Sequence, residues 1–360
     1  MGTRRSGYFK ADYAADLALL DTPFRRVLVG LLVLAVLAVP QVAGKYVVYV
    51  CNLTFIAIMG AIALNLLTGY AGQISLGHSA FLAVGGFVSY HFAKLGLGFV
   101  PVVVITTAIG ALIGVVVGAP ALRLRGLYLV LGTVGFHYVV FFLVNEYQTS
   151  GDDVLMKLTG LLLPVPDLGF VKLRNEFQWY YFLLGMLALV TCFAVNLVRT
   201  RVGRAWIAVR DRDITAAALG IDVGRYKLLA FVVSSALTSM TGALLAYVVG
   251  SVSAEYYTLT LSITYLAMVV VGGAGSILGS YLGAIFVSML PYAITWLFES
   301  LGVSTRTQMV YLVPSQIVVF GLIMILFLIF EPRGLVGIWQ RVRAYFELWP
   351  LRKSILSERK

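Results

Sequence analysis

Charge is scarce in this 360-residue chain: 12% of the residues are charged and 60% are apolar. Soluble domains carry about 25% charged and roughly 45–50% apolar residues. A soluble globular fold is therefore excluded, and the mean hydropathy of +0.94 marks a polytopic membrane protein. Cysteine is scarcer still. Cys51 and Cys192 both lie in apolar runs, which suits small buried hydrophobes and builds no disulfide framework. The three histidines are far apart in sequence and lack the short paired spacing of a zinc site, so no metal site is expected.

Nucleotide-binding and catalytic motifs are missing as well. No GxxxxGK[ST] phosphate loop occurs, because Gly44-Lys45 lacks both the upstream glycine and the following Ser or Thr. Any nucleotide that drives this protein is bound by another chain. No Ser/His/Asp or Cys/His arrangement and no aspartate-rich motif gives an enzyme reading residues to stand on. The 16 Asp and Glu fall in loops, tails or span ends. Ion-coupled carriers need an intramembrane carboxylate to bind or relay the cation, so their absence disfavours secondary transport. His91 and His137 are the ionisable residues clearly within spans, and both read as hydrogen-bonded packing residues.

What is present is apolar length. A bilayer core of about 30 Å needs roughly 20 helical residues. Spans are expected near 24–43, 47–67, 76–95, 100–119, 126–145, 179–198, 228–249, 259–272, 277–298 and 311–330. The fold class is thus all-α, with about ten transmembrane helices and short or discontinuous helices around glycine-rich breaks. Alternation puts the N-terminus, Arg123, Arg125, the loop 199–227 and the C-terminal tail on one side, with most of the 27 Lys and Arg. That side is cytoplasmic by the positive-inside rule, and the net charge of +11 reflects topology and requires no nucleic acid. The expected organisation is an N-terminal segment 1–23, a membrane domain 24–330 with an outer loop 146–178, and a basic tail 331–360. Residues 7–22 carry Phe9, Tyr13, Leu17 and Leu20 at helical spacing, as either a surface amphipathic helix or a frayed polar terminus. The apolar run after Arg25 and Arg26 resembles a signal peptide but is read as an uncleaved first helix.

One stretch organises the rest. Residues 65–87 read NLLTGYAGQISLGHSAFLAVGGF and set Asn65, Thr68, Gly69, Gln73, Ser75, Gly77, His78 and Phe81 between two apolar runs. Polar groups in a bilayer cost free energy and mark a bundle interior or a pathway. These residues are candidates to line a translocation path, and hydrogen bonding that merely seals a helix break explains them as well. A similar segment, GGAGSILG at 272–279, adds Gly273, Gly275 and Gly279. Its glycines resemble a dinucleotide fingerprint, but that motif requires a soluble βαβ unit and is rejected here. The likeness of GYAGQISLG to GGAGSILG fits the internal repetition of transporters, whose broken helices meet near the substrate path. Glycines every four residues at Gly110, Gly114 and Gly118, and at Gly275, Gly279 and Gly283, read as close helix-packing stripes.

The loop TRVGRAWIAVRDRDITAAALGIDVGRYK contains a short helix candidate, with Asp211 or Asp213 able to cap its start and Gly220 placed to end it. It is either a docking helix for a soluble partner or a solvated connection. Three blocks together resemble the permease subunits of branched-chain amino-acid ABC importers, of the LivH and LivM kind: residues 64–87, GRAWIAVRDRDITAAALGIDVGRYKLLAF at 203–231, and VVVGGAGSILGSYLGA at 269–284. The closing FEPRGLVGIW is similar to the end of the longer LivM type.

The resemblance implies a multi-pass protein of the bacterial inner membrane that moves branched-chain or related amino acids. Its implied partners are ABC ATPase subunits that bind ATP and magnesium, a paralogous permease, an extracytoplasmic solute-binding protein and membrane lipid. It places the ATPase-coupling segment at Arg210, Asp211, Arg212, Asp213, Ala216, Ala217, Ala218, Leu219, Gly220 and Ile221. No cofactor is expected in this chain. One departure is visible: where LivM-type chains carry a TGG turn, this one has Thr149-Ser150-Gly151-Asp152-Asp153 followed by Val154, which leaves the solute open among branched-chain amino acids, urea, amides and other amino acids. The alternative function is a stand-alone carrier or facilitator for small polar solutes.

Overall fold

Apolar runs in a bilayer must satisfy their own backbone polar groups, and helices do so within one segment. The computed structural model describes residues 23–121, 126–150, 160–167, 173–300, 305–331 and 333–348. The N-terminal segment 7–22, Arg123, Arg125, residues 151–154 and the end of the tail lie outside that set. The helices in chain order are α1 (Pro23–Val42), α2 (Lys45–Asn65), α3 (His78–Lys94), α4 (Phe99–Ala121), α5 (Leu127–Thr149), α6 (Glu176–Arg199), α7 (Arg201–Asp211), α8 (Asp213–Ala218), α9 (Val223–Val249), α10 (Leu259–Gly272), α11 (Ile277–Ser300), α12 (Thr305–Phe330) and α13 (Gly334–Leu348). A helix overlaps each of the ten expected spans. Among the described residues, six helices are long and apolar enough to cross a membrane: Lys45–Tyr70, Phe99–Pro120, Leu127–Thr149, Glu176–Arg199, Val223–Val249 and Ile277–Ser300. Leu259–Gly272 is apolar but shorter, as the glycines after it led one to expect.

α2 and α9 form the centre. In their most apolar windows 72% and 67% of residues are buried, against 22–33% for the other four long helices. α9 begins five residues before the expected span because Asp222 caps it, its Oδ1 accepting from Arg225 N at 3.1 Å. α9 packs closely against α3 and α4, and small residues make this possible. A β-carbon on Gly85 would strike the Ser239 carbonyl, and one on Gly242 would strike that of Leu82. Gly110 and Gly114 of α4 meet Ser239 and Ser235, and Gly118 meets Leu228 and Phe231. This stripe is therefore a packing face. The second stripe needs correction: Gly279 and Gly283 lie against α10, but Gly275 stands before α11 in a turn at φ +79°.

Leu161–Leu162 (β1) pairs antiparallel with Ser251–Val252 (β2), tying the long loop after α5 to the end of α9. Gly160, at φ +89°, leaves room for the Val252 carbonyl there.

The α3–α9 crossing predicts a contrast between two alanine substitutions. Gly242→Ala should destabilise by about 1–3 kcal/mol through overpacking, lowering the thermal unfolding midpoint in detergent. Gly185→Ala, inside α6 with open space around it, should keep or raise that midpoint, because alanine favours a helix interior over glycine by about 0.5–1 kcal/mol.

Candidate functional site

The first break is built by the end of α2. Its ladder widens into a π-helical turn over Leu66–Tyr70, the chain reverses at Gly72 with φ +70°, and helix resumes at His78. Such a break frees backbone groups that a bilayer interior cannot hydrate, and neighbouring polar atoms take them up. Leu76 N donates to Thr133 Oγ1 at 3.0 Å, Thr68 Oγ1 donates to Gln73 O at 3.1 Å, and Gly77 N donates to Ser75 Oγ at 3.3 Å. Gln73, itself buried, donates from Nε2 to the carbonyl of Lys227 in α9 at 3.0 Å. The recorded bonds of Thr68, Gln73 and Ser75 thus close the break. Gly77 lies against Thr133 and Phe136.

Asn65 joins this break to the second one. Its Nδ2 donates to Ser276 O and Ser280 Oγ, both at 2.8 Å, and its Oδ1 accepts from Gly275 N at 2.8 Å. An amide offers an acceptor at one end and two donors at the other, so one 1%-exposed side chain serves three groups on the opposite segment. Gly69 is a glycine for the same reason, since a β-carbon there would strike Asn65 Oδ1 and Gly275 N. The two similar glycine segments are therefore in contact. Gly273, at φ +118°, is covered by Arg333 and Val336 at the start of α13, a contact the sequence reading did not anticipate. Glu331 and Arg341, paired at 2.7 Å, hold α13 there, and Gly279 approaches the carbonyls of Gly272 and Gly273.

Further along α3, His78 Nδ1 lies 3.3 Å from Thr238 Oγ1 and its ring 4.8 Å from that of Tyr265. Phe81 packs between Phe136 and Phe231 at ring distances of 4.9 and 5.9 Å. A buried cluster missed from sequence sits alongside: Ser79 Oγ is 2.9 Å from His137 Nδ1 and 2.7 Å from Ser262 Oγ. Of the three, His137 stands out in its mainly apolar stretch, whereas Ser79 follows His78 and Ser262 lies between Thr260 and Thr264. His91, in contrast, is exposed and bonds Tyr147 at 3.0 Å.

The loop between α6 and α9 folds as two short helices. α7 was missed, although Val202, Ala205, Trp206 and Val209 fall at helical spacing. Thr200 caps it, and Trp206, fully buried, donates from Nε1 to Tyr226 O at 2.9 Å. α8 starts without the aspartate cap expected from sequence. Arg212 occupies the cap position, without a side-chain cap bond, because both carboxylates are engaged elsewhere: Asp211 with Arg210 at 3.2 Å, and Asp213 with Lys227 at 3.6 Å. The end of α8 is as expected. Gly220 turns at φ +83°, Ile221 N donates to Ala216 O at 3.1 Å and Gly220 N to Ala217 O at 3.0 Å, a Schellman closure. Ala216 faces inward, whereas Ala217, Ala218, Arg212 and Gly220 are exposed. Ile214 and Leu219 are each 78% exposed. The Arg210 guanidinium points the other way and donates from Nη1 to Gly69 O at 2.8 Å.

The sequence model of a family described as branched-chain amino acid transport system / permease component matches residues 46–328. The high-affinity branched-chain amino acid transport system permease protein LivM of Escherichia coli K12 is 33% identical over 86% of this chain and 74% of its own length. LivH of Salmonella typhimurium LT2 is 25% identical over 77% of this chain and 90% of its own. The autoinducer 2 import system permease protein LsrC of Klebsiella pneumoniae is 29% identical over 51% and 52%. No solved structure matches.

Asn65→Leu keeps the branched outline of the side chain, with more bulk, and removes all three bonds. Each partly buried group left unpaired costs about 1–3 kcal/mol, so the thermal unfolding midpoint of the detergent-solubilised chain should fall more for Asn65→Leu than for Gly242→Ala.

Proposed function

The chain belongs to the branched-chain amino-acid transport permeases, and from that premise we propose that it translocates branched-chain or related amino acids across the bacterial inner membrane. It is a multi-pass transport subunit and not an enzyme. In this reading about ten helices span the bilayer with both termini cytoplasmic. A paralogous permease sits beside it, an extracytoplasmic binding protein delivers solute, and separate ATPase subunits bind ATP and magnesium. Their closure shifts the bundle between outward-open and inward-open arrangements.

The observation that carries this reading is the α8 face. A helix of six residues that leaves Ile214 and Leu219 uncovered beside smooth alanines suits a groove on a soluble partner. The pathway is assigned to the two glycine breaks, with Asn65, Thr68, Gly69, Gln73, Ser75, Gly77, His78 and Phe81 on one side and Gly273, Gly275 and Gly279 on the other. An ABC importer needs no intramembrane carboxylate, because its driving force enters from the ATPase side.

Ala217→Glu tests the docking. Ala217 is exposed, so the fold should be retained, while a carboxylate buried without a partner at the interface is costly. In the reconstituted complex, uptake driven by ATP should fall about tenfold, equivalent to ~1.4 kcal/mol of coupling. Unchanged uptake rejects the docking assignment. Uptake by the purified chain alone in liposomes would instead support a stand-alone facilitator.

A further inference from the structure

We propose that Arg210 is a positioning residue that links the α7–α8 pair mechanically to the two joined glycine breaks. The proposal deepens the transport reading above and rests on it. Arg210 lies in the last turn of α7, one residue from its end at Asp211, yet its side chain leaves the exposed face and reaches into the break. Nη1 donates to the carbonyl of Gly69 at 2.8 Å. Gly69 lies in the last turn of the helical segment that ends at Tyr70, where unpaired carbonyls carry the negative end of the helix dipole and favour a cation.

The glycines on either side leave the arginine its space. A β-carbon on Gly72 would stand 2.8 Å from Arg210 Cγ and 3.2 Å from its Cα, and one on Gly275 would stand 2.6 Å from Nη1. Gly72 belongs to the first break and Gly275 to the second, so one arginine side chain abuts both, its stem at Gly72 and its guanidinium at Gly275. Asp211 holds the opposite edge of the fork, with Oδ1 3.2 Å from Nε and 3.2 Å from Nη2. That hold leaves Nη1 free to aim at Gly69, because the planar guanidinium presents its donors in fixed directions.

The junction is therefore clasped from two ends. Asn65 binds Gly275 N from the buried side, and Arg210, with its side chain 36% exposed, binds Gly69 from the open side. α7 is itself anchored to the start of α9 through Trp206 and Tyr226. Displacement of α7 and α8 by a docked partner must then carry the Gly69 carbonyl with it or break the bond. The link suits a joint remade in two states, since water can replace a half-exposed donor at small net cost. Proximity alone is not coupling, and the experiment has to measure coupling.

The test uses the full complex in proteoliposomes with its binding protein and reads ATP hydrolysed per solute imported for the wild type, Arg210→Ala, Arg210→Lys and Ala217→Glu. In Arg210→Ala the ratio should rise about tenfold, within the usual range for allosteric coupling. Arg210→Lys keeps the stem that packs on Gly72 and one donor for Gly69, so its rise should be smaller, about threefold. An unchanged ratio in an assembled Arg210→Ala complex overturns the proposal, as does a parallel fall of uptake and hydrolysis in that assembled complex. If Arg210→Ala does not assemble, Arg210→Lys decides: an unaltered ratio there overturns the proposal. Uncoupling by the Arg210 variants with Ala217→Glu intact rejects docking at α8 and keeps the link. The reverse pattern rejects the link alone.

Discussion

The side chain of Asn65 is the interaction on which the rest of the membrane core depends. A helix can be interrupted inside a bilayer only if the exposed backbone finds partners, and here two interruptions become each other's partners. The amide spans them, supplying an acceptor to Gly275 N and donors to Ser276 O and Ser280 Oγ. Close approach needs the absent side chain of Gly69. Polar pairing and missing bulk together turn two local weaknesses into one junction between the α2–α3 and α10–α11 halves of the fold.

Around that junction the structure separates into parts with different work. α2 and α9 supply the buried centre, while α3 and α4 close on α9 through glycine and serine contacts. The Lys227 carbonyl accepts from Gln73, and its ammonium pairs with Asp213. The start of α9 is thus bound to the first break and to α8 alike. α13 covers the second break, and the pair between Glu331 and Arg341 retains it there. The exposed face of α8 and the buried polar residues of α3 are consequently few covalent and hydrogen-bonded steps apart.

Much of this was legible before any coordinates. Apolar length located a helix at each expected span, and among the described residues six of these are long and apolar enough to cross a membrane. Asn65, Gln73 and Ser75 announced the break because polar groups stand out against hydrocarbon. The short likeness between the two glycine segments pointed to a contact that exists. Other features were hidden for definite reasons. A two-residue strand such as Leu161–Leu162 has no periodicity to read. Gly275 matched a four-residue spacing while serving a turn. Asp211 and Asp213 had the right chemistry for capping, but Arg210 and Lys227 bind their carboxylates instead. The bonds between Ser79, His137 and Ser262 join residues separated by up to 183 positions, and nothing in one sequence orders such pairs.

The crossing of α3 and α9 has a mechanical consequence. At Gly85 and Gly242 main chain meets main chain with no side chain between, so no rotamer change can absorb a displacement there. Two rods touching along bare backbone cannot slide by part of a turn without collision, but they can tilt about the point of contact. That crossing therefore favours tilt over slip: a rotation of α3 against α9 about Gly85 and Gly242 carries the two ends of each helix in opposite directions.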